Sequence, residues 1–182
     1  MGNENSYVID IWANVVTEFL TRLGPQDDEL ATILKGHLFI EYLLDKIIST
    51  KCKSPKRILS DSRSFTFAVK LQLVYSMGLL PDYTYRNIVK INKVRNELAH
   101  NLEFTEDKID MGFAKDDGSE IKIKPKGKKN PRKFYLRMLC VGTLNQLASH
   151  VRANLKLSTK YEKSHLLNPK LGYRKDLIRG KK

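Results

Sequence analysis

Between residues 28 and 50 the chain carries apolar side chains on almost every face of a helix. Leu30, Leu34, Leu44 and Ile48 form one seam at spacings of three and four, and Ile33, Ile40, Leu43 and Ile47 make the other side apolar as well. A helix of this kind cannot rest on a surface. It needs neighbours on several sides, which places it in the middle of a helical bundle. Two polar residues, His37 and Glu41, take the middle positions of the Leu30–Ile48 seam. Buried polar groups need partners, so this pair marks either a structural contact or a site.

The remaining segments supply those neighbours. A stripe of Ile11, Val15, Phe19 and Leu23, with Trp12 and Val16, predicts a helix over about 5–23 that Gly24-Pro25 ends. Asp27 and Asp28 then offer an N-cap for the central helix. Residues 51–63 are expected to form a polar loop. A third long helix is predicted over 64–78, with Phe67, Leu71, Val74, Ala68 and Tyr75 facing inward and Gly78 as its C-cap. A fourth runs over 82–100, capped at Asp82, with Tyr85, Ile88, Ile91 and Leu98 at helical spacing. In 109–124 the apolar and polar residues alternate around Asp117-Gly118, which predicts a small β-hairpin. A last long helix is expected over 131–156, packing through Phe134/Tyr135, Met138, Val141, Leu144/Asn145 and Ala148. The expected architecture is mainly α: one antiparallel helical domain over 1–156, a hairpin inserted before its last helix, and a loose basic tail over 157–182.

Charge divides the chain. Of the formal +13, residues 1–103 account for +1 and residues 104–182 for +12. Residues 122–137 hold eight cations and no anion: Lys122, Lys124, Lys126, Lys128, Lys129, Arg132, Lys133 and Arg137. Such a cluster would meet the phosphates of RNA or DNA through charge, with little base selectivity. A solvated basic face without a dedicated partner would have the same composition.

The stretch richest in chemistry is Lys93-Val94-Arg95-Asn96-Glu97-Leu98-Ala99-His100-Asn101. Arg95 and His100 lie about 140° apart on an ideal helix, whereas Asn96 and His100 share a face. Arg95 joins them if its long side chain bends across. A guanidinium beside a histidine that titrates near neutrality suits metal-free RNA cleavage. The histidine would move a proton, and the guanidinium would stabilise the charge building on phosphorus. Cations in a last helical turn also serve simply to complement the helix dipole.

Arg95 to His100 resembles the Arg-x4-6-His motif of HEPN domains, small helical bundles among which many are metal-independent ribonucleases. Within that fold the chain is most similar to the mannitol operon repressor family. The similarity runs through GHLFIEYLLDKII (36–48), FAVKLQLVYSMGLLPDYTY (67–85), KVRNELAHN (93–101) and LEFTEDKI (102–109). The resemblance implies a bacterial, cytoplasmic regulator that represses gene expression through a nucleic acid or a protein partner, and a homodimer. Nuclease-type HEPN dimers bring their Arg/His motifs together across the interface, which by analogy makes Arg95, Asn96 and His100 the positions to carry over. The alternative activity it implies is a metal-independent endoribonuclease. A third reading is a protein-interaction module with a basic arm.

For the central pair, the expectation is that Glu41 reaches Arg95, with His37 supporting. A self-contained His37–Glu41 pair that sets helix register is the other possibility. A helix-turn-helix around Gly78 would set Arg86, Asn87, Lys90 and Lys93 against DNA, but that helix also carries core residues. No metal site is expected, because His37, His100, His150 and His165 lack ligand spacing. No cofactor fingerprint is present either. Cys52 and Cys140 are expected as separate thiols. No apolar run is long enough for a membrane span, and the opening residues lack the pattern of a secretory signal, so a cytoplasmic location is expected.

Overall fold

The computed structural model describes residues 15–24, 27–100, 112–123, 127 and 129–154 of the 182-residue chain. Ile11, Trp12 and the tail over 157–182 lie outside the described residues. The elements in chain order are α1 (15–22), α2 (Glu29–Lys51), α3 (Pro55–Leu59), α4 (Phe67–Ser76), α5 (Asp82–His100), β1 (Gly112–Ala114), β2 (Glu120–Lys122) and α6 (Pro131–Asn154). The protein is a mainly helical bundle with a two-stranded antiparallel hairpin before its last long helix.

Helix α2 occupies the middle, touching α3, α4, α5 and α6. Its apolar surround explains the position: Ile33, Ile40, Leu43, Leu44, Ile47 and Ile48 are all buried. Asp28 caps its start by accepting the N–H of Ala31 at 2.7 Å. Asp27 accepts the N–H of Gly24 at 2.9 Å and an ion pair from Lys35 at 2.6 Å, which closes the α1–α2 corner. Val15 and Phe19 of α1 and Leu23 just after it pack inward.

Two local signals translate directly. The Leu79 N–H reaches the Val74 carbonyl and the Gly78 N–H reaches that of Tyr75, with Gly78 at φ +69°. This is a Schellman stop, in a conformation that glycine adopts without a Cβ clash. The hairpin turns through 115–119, pairing Phe113 with Ile121. Asn87 of α5 holds it in place like an added strand, donating to the Ala114 carbonyl and accepting the Ala114 N–H, both at 2.9 Å. Gln146 of α6 donates to the same carbonyl at 2.9 Å, and the Tyr135 hydroxyl donates to that of Gly112 at 3.1 Å.

Four expectations are corrected. Within the predicted 51–63 loop, Pro55 opens the one-turn helix α3, too short to leave a periodic signal. Asp82 is the first residue of α5 rather than its cap. On α4, Ala68 is exposed, and Lys70 takes its expected place among Phe67, Leu71 and Val74 on the buried stripe. On α6, Met138 is 42% exposed and Asn145 is exposed. The buried stripe keeps the expected Tyr135, Leu144 and Ala148 and is completed by Leu136, Leu139, Cys140, Thr143, Leu147 and Val151. This helix has apolar residues on more than one side, and contact with α2 decides which side goes in. Cys140 lies wholly inside, and burial pushes its thiol up to about 12. Cys52 and Cys140 are both free thiols. Among the described residues no helix is long and apolar enough to cross a membrane.

Candidate functional site

The polar residues of α2 open onto a cleft of about 410 Å³ between α2, α5 and the start of α4. Helix α2 contributes His37 and Glu41. Helix α5 contributes Asn92, Arg95 and Asn96, which are three and four residues apart and so lie on one face. Phe65, Phe67 and Lys70 complete the wall from the α4 side.

His37 is only 7% exposed, and its ring stacks on Phe67 with centroids 3.9 Å apart. Its Nε2 lies 3.2 Å from the Oδ1 of Asn92. An amide oxygen only accepts, so this contact assigns the ring proton to Nε2 and leaves the lone pair on Nδ1. Burial, the largest influence, holds the His37 pKa below the usual histidine value. The nearby Glu41 charge opposes this, and the Arg95 charge reinforces it.

Glu41 does not pair with Arg95. Its carboxylate accepts from Lys70 at 3.0 Å, and Lys70 also pairs with Asp45 at 2.8 Å. The self-contained His37–Glu41 pair is replaced too, by His37–Asn92 and Glu41–Lys70. Residues four apart on a helix differ by about 40° in direction, which here is enough to turn one toward α5 and the other toward α4. The Lys70 side chain is 8% exposed. Burial works against its charge, but the hydrogen bonds it donates to Asp45 and Glu41 outweigh it and hold its pKa above the ordinary lysine value.

The Arg95 guanidinium donates from Nη1 to the Oδ1 of Asn96 at 2.8 Å, while its buried Nε has no acceptor among the described residues. A buried donor left unpaired costs about 1–3 kcal/mol, and an anionic oxygen relieves that cost only if the side chain shifts to expose this Nε. His100 ends α5, and its side chain lies outside the described residues. The expected Arg95–His100 meeting therefore falls there as well.

The basic segment is not one open surface. Lys122 and Lys129 are exposed, and Lys133 and Arg137 are half-buried. Arg132 is tied to Glu29 of α2 at 2.7 Å, with its side chain 13% exposed. Lys124, Lys126 and Lys128 lie outside the described residues. The helix-turn-helix reading is overturned. Asn87 is buried on the hairpin, Lys90 pairs with Glu120 at 2.6 Å, and Arg86 donates to the Gly118 carbonyl at 3.4 Å, so the hairpin covers three of the four residues that would meet a groove and leaves Lys93 exposed. Among the described residues no three His, Cys, Asp or Glu side chains are grouped to hold a metal ion.

Sequence reasoning missed Asn92 and Lys70. Both left the signal that exposed His37 and Glu41, a polar residue set among core positions of a helix.

The depressed His37 pKa carries a pH dependence. The unfolded state takes up a proton below the ordinary histidine value while the folded state resists it, so stability is full above that value and falls as pH drops through the window beneath it. We expect urea unfolding between pH 7 and 5 to show a decline of up to about 1.4 kcal/mol per pH unit for this one proton. The slope should be shallower in His37→Gln. His150, whose pKa burial also lowers, keeps it from vanishing. An unchanged slope in the variant would show that His37 is not held neutral by its surroundings.

No protein-family model, curated protein or solved structure matches this chain, so the reading of the cleft rests on its own geometry.

Proposed function

We propose that this chain is a regulatory protein of the mannitol operon repressor type that acts on gene expression by gripping single-stranded RNA at the Arg95 cleft. The observation that carries the reading is the guanidinium of Arg95, with one donor fixed by Asn96 and another without an acceptor among the described residues, on the wall of a cleft that also holds His37 and Phe67. Arginine donors suit phosphate oxygens, and an aromatic wall suits an unstacked base. The cleft takes a single backbone more readily than a duplex, because the face of α5 suited to a major groove lies under the hairpin. The resemblance to the repressor family supplies the regulatory role and the expectation of a homodimer.

Fluorescence anisotropy at low salt tests this. Single-stranded RNA should bind more tightly than duplex DNA of the same length, and Arg95→Gln should weaken the RNA complex about 10- to 100-fold, the loss of a charge-assisted hydrogen bond. Tighter binding of duplex DNA, or full binding by the variant, would overturn the reading.

A second reading, a metal-independent endoribonuclease, is favoured by His37, an imidazole on the wall of the cleft that Arg95 lines, whose pKa burial holds low. His37 or His100 would take the proton of a 2′-hydroxyl while Arg95 stabilises the charge on phosphorus. Cleavage in EDTA that is lost in His37→Gln or His100→Ala supports it. Cleavage that persists in both variants and in Arg95→Gln comes from a contaminant.

A further inference from the structure

A second, larger cleft of about 810 Å³ opens where α2 ends and α3 begins. Lys51, Lys53 and Arg57 stand on its rim, all exposed, and none pairs with a carboxylate among the described residues. Ile58 and Phe65, both half-buried, give it an apolar floor. The carboxylate on this rim, Asp61, is occupied with its own loop, accepting the N–H groups of Arg63 at 3.2 Å and Ser64 at 3.1 Å. Those bonds orient the carboxylate but keep its charge, and the rim is cationic because three cations stand against this one anion. Phe65 also lines the Arg95 cleft, so the two recesses meet at one aromatic ring.

We propose that Lys51, Lys53 and Arg57 form a phosphate-tracking lip that leads single-stranded RNA across Phe65 into the Arg95 cleft. This rests on the reading of the Arg95 cleft as an RNA site. It also moves the electrostatic grip away from the 122–137 segment, whose Arg132 is already held by Glu29. Successive cations with an aromatic ring between them are what a flexible strand needs: charge for the backbone and a platform on which any base can stack. An acidic protein segment would meet the same charge, but a base-bearing strand also uses Phe65, the aromatic residue that lines both recesses.

The experiment compares wild type, Arg95→Gln and the triple variant Lys51→Gln/Lys53→Gln/Arg57→Gln, with matched thermal midpoints confirming that both variants keep the fold. The probes are a labelled single-stranded RNA of about 12 nucleotides, one of about 3 nucleotides that fills a single recess, and polyglutamate. The triple variant should bind the long RNA about tenfold more weakly. Its salt slope should be shallower by about 2, since each phosphate contact on a single strand contributes about 0.7. The short RNA should bind it as it binds wild type. Arg95→Gln should weaken both RNAs.

Wild-type binding and slope in the triple variant would overturn the lip and leave the Arg95 site standing. Equal losses for short and long RNA would overturn the idea of an extension. Loss in the triple variant with full binding by Arg95→Gln would overturn the Arg95 reading and the continuity of the two recesses. Polyglutamate binding as tightly as the long RNA, or no RNA binding by wild type, would overturn the choice of RNA as occupant.

Discussion

Replacing Lys70 by Met should cost the protein about 3 kcal/mol of stability, seen as a lower urea midpoint with an unchanged denaturant slope. Lys70 holds a core position of α4 between Phe67 and Val74, yet its ammonium lies 3.0 Å from Glu41 and 2.8 Å from Asp45. Met matches its length and apolar stem, so packing changes little. What changes is that two carboxylates on α2 lose their common cation. Removing one partner from a buried ion pair costs about 3–5 kcal/mol, and here the figure falls toward the low end because both acids keep some contact with water. Their side chains are 30% and 35% exposed.

The deficit should shrink on acidification. Burial already lifts the Asp45 carboxyl above its ordinary range against the pull of Lys70, so without Lys70 it protonates more readily still as pH falls. The combined variant Glu41→Gln/Asp45→Asn/Lys70→Met should regain much of the loss, since no unpaired charge then remains. Full stability in Lys70→Met alone would mean that water satisfies both acids and that the three-way contact adds nothing.

Gly36→Val should be as damaging, by about 3 kcal/mol, for a steric reason. A Cβ at position 36 would lie 2.4 Å from the Cys140 sulfur and 3.0 Å from its Cβ, at the crossing of α2 and α6. Both residues are buried, so neither can move aside into solvent. Overpacking a close-packed core costs about 1–3 kcal/mol, and valine adds two branches to the offending carbon. Gly36→Ala should lose less, because alanine regains about 1 kcal/mol of helix propensity over glycine. Cys140→Ala removes the nearer atom, so a double-mutant cycle between positions 36 and 140 should show a coupling of about 1 kcal/mol or more. A coupling of zero would place the two helices farther apart than described.

These residues also show what could be read from the sequence. The central place of α2 follows from its own composition, because a helix apolar on both sides has one stable environment. The stop at Gly78 and the hairpin around Asp117-Gly118 are set by turn chemistry within a few residues. The buried side of α6 is not a local property. Phe134, Met138 and Val141 make one plausible stripe and Leu136, Leu139 and Cys140 another, and only the partner helix chooses between them. The site divides in the same way. That His37 and Glu41 mark a polar spot was legible from their place in a core seam, and Glu41 was expected to face Arg95, with which it shares a cleft but does not pair. Which partner each takes was not, since Lys70 and Asn92 reach them from other helices.

Chemical-shift mapping of the isotopically labelled protein with a single-stranded RNA of about 3 nucleotides tests the central claim most directly. The largest shifts should fall on Asn92, Arg95, Asn96 and Phe67, around the guanidinium that lines the cleft. Shifts confined to residues 122–137, with the Arg95 cleft silent, would contradict it.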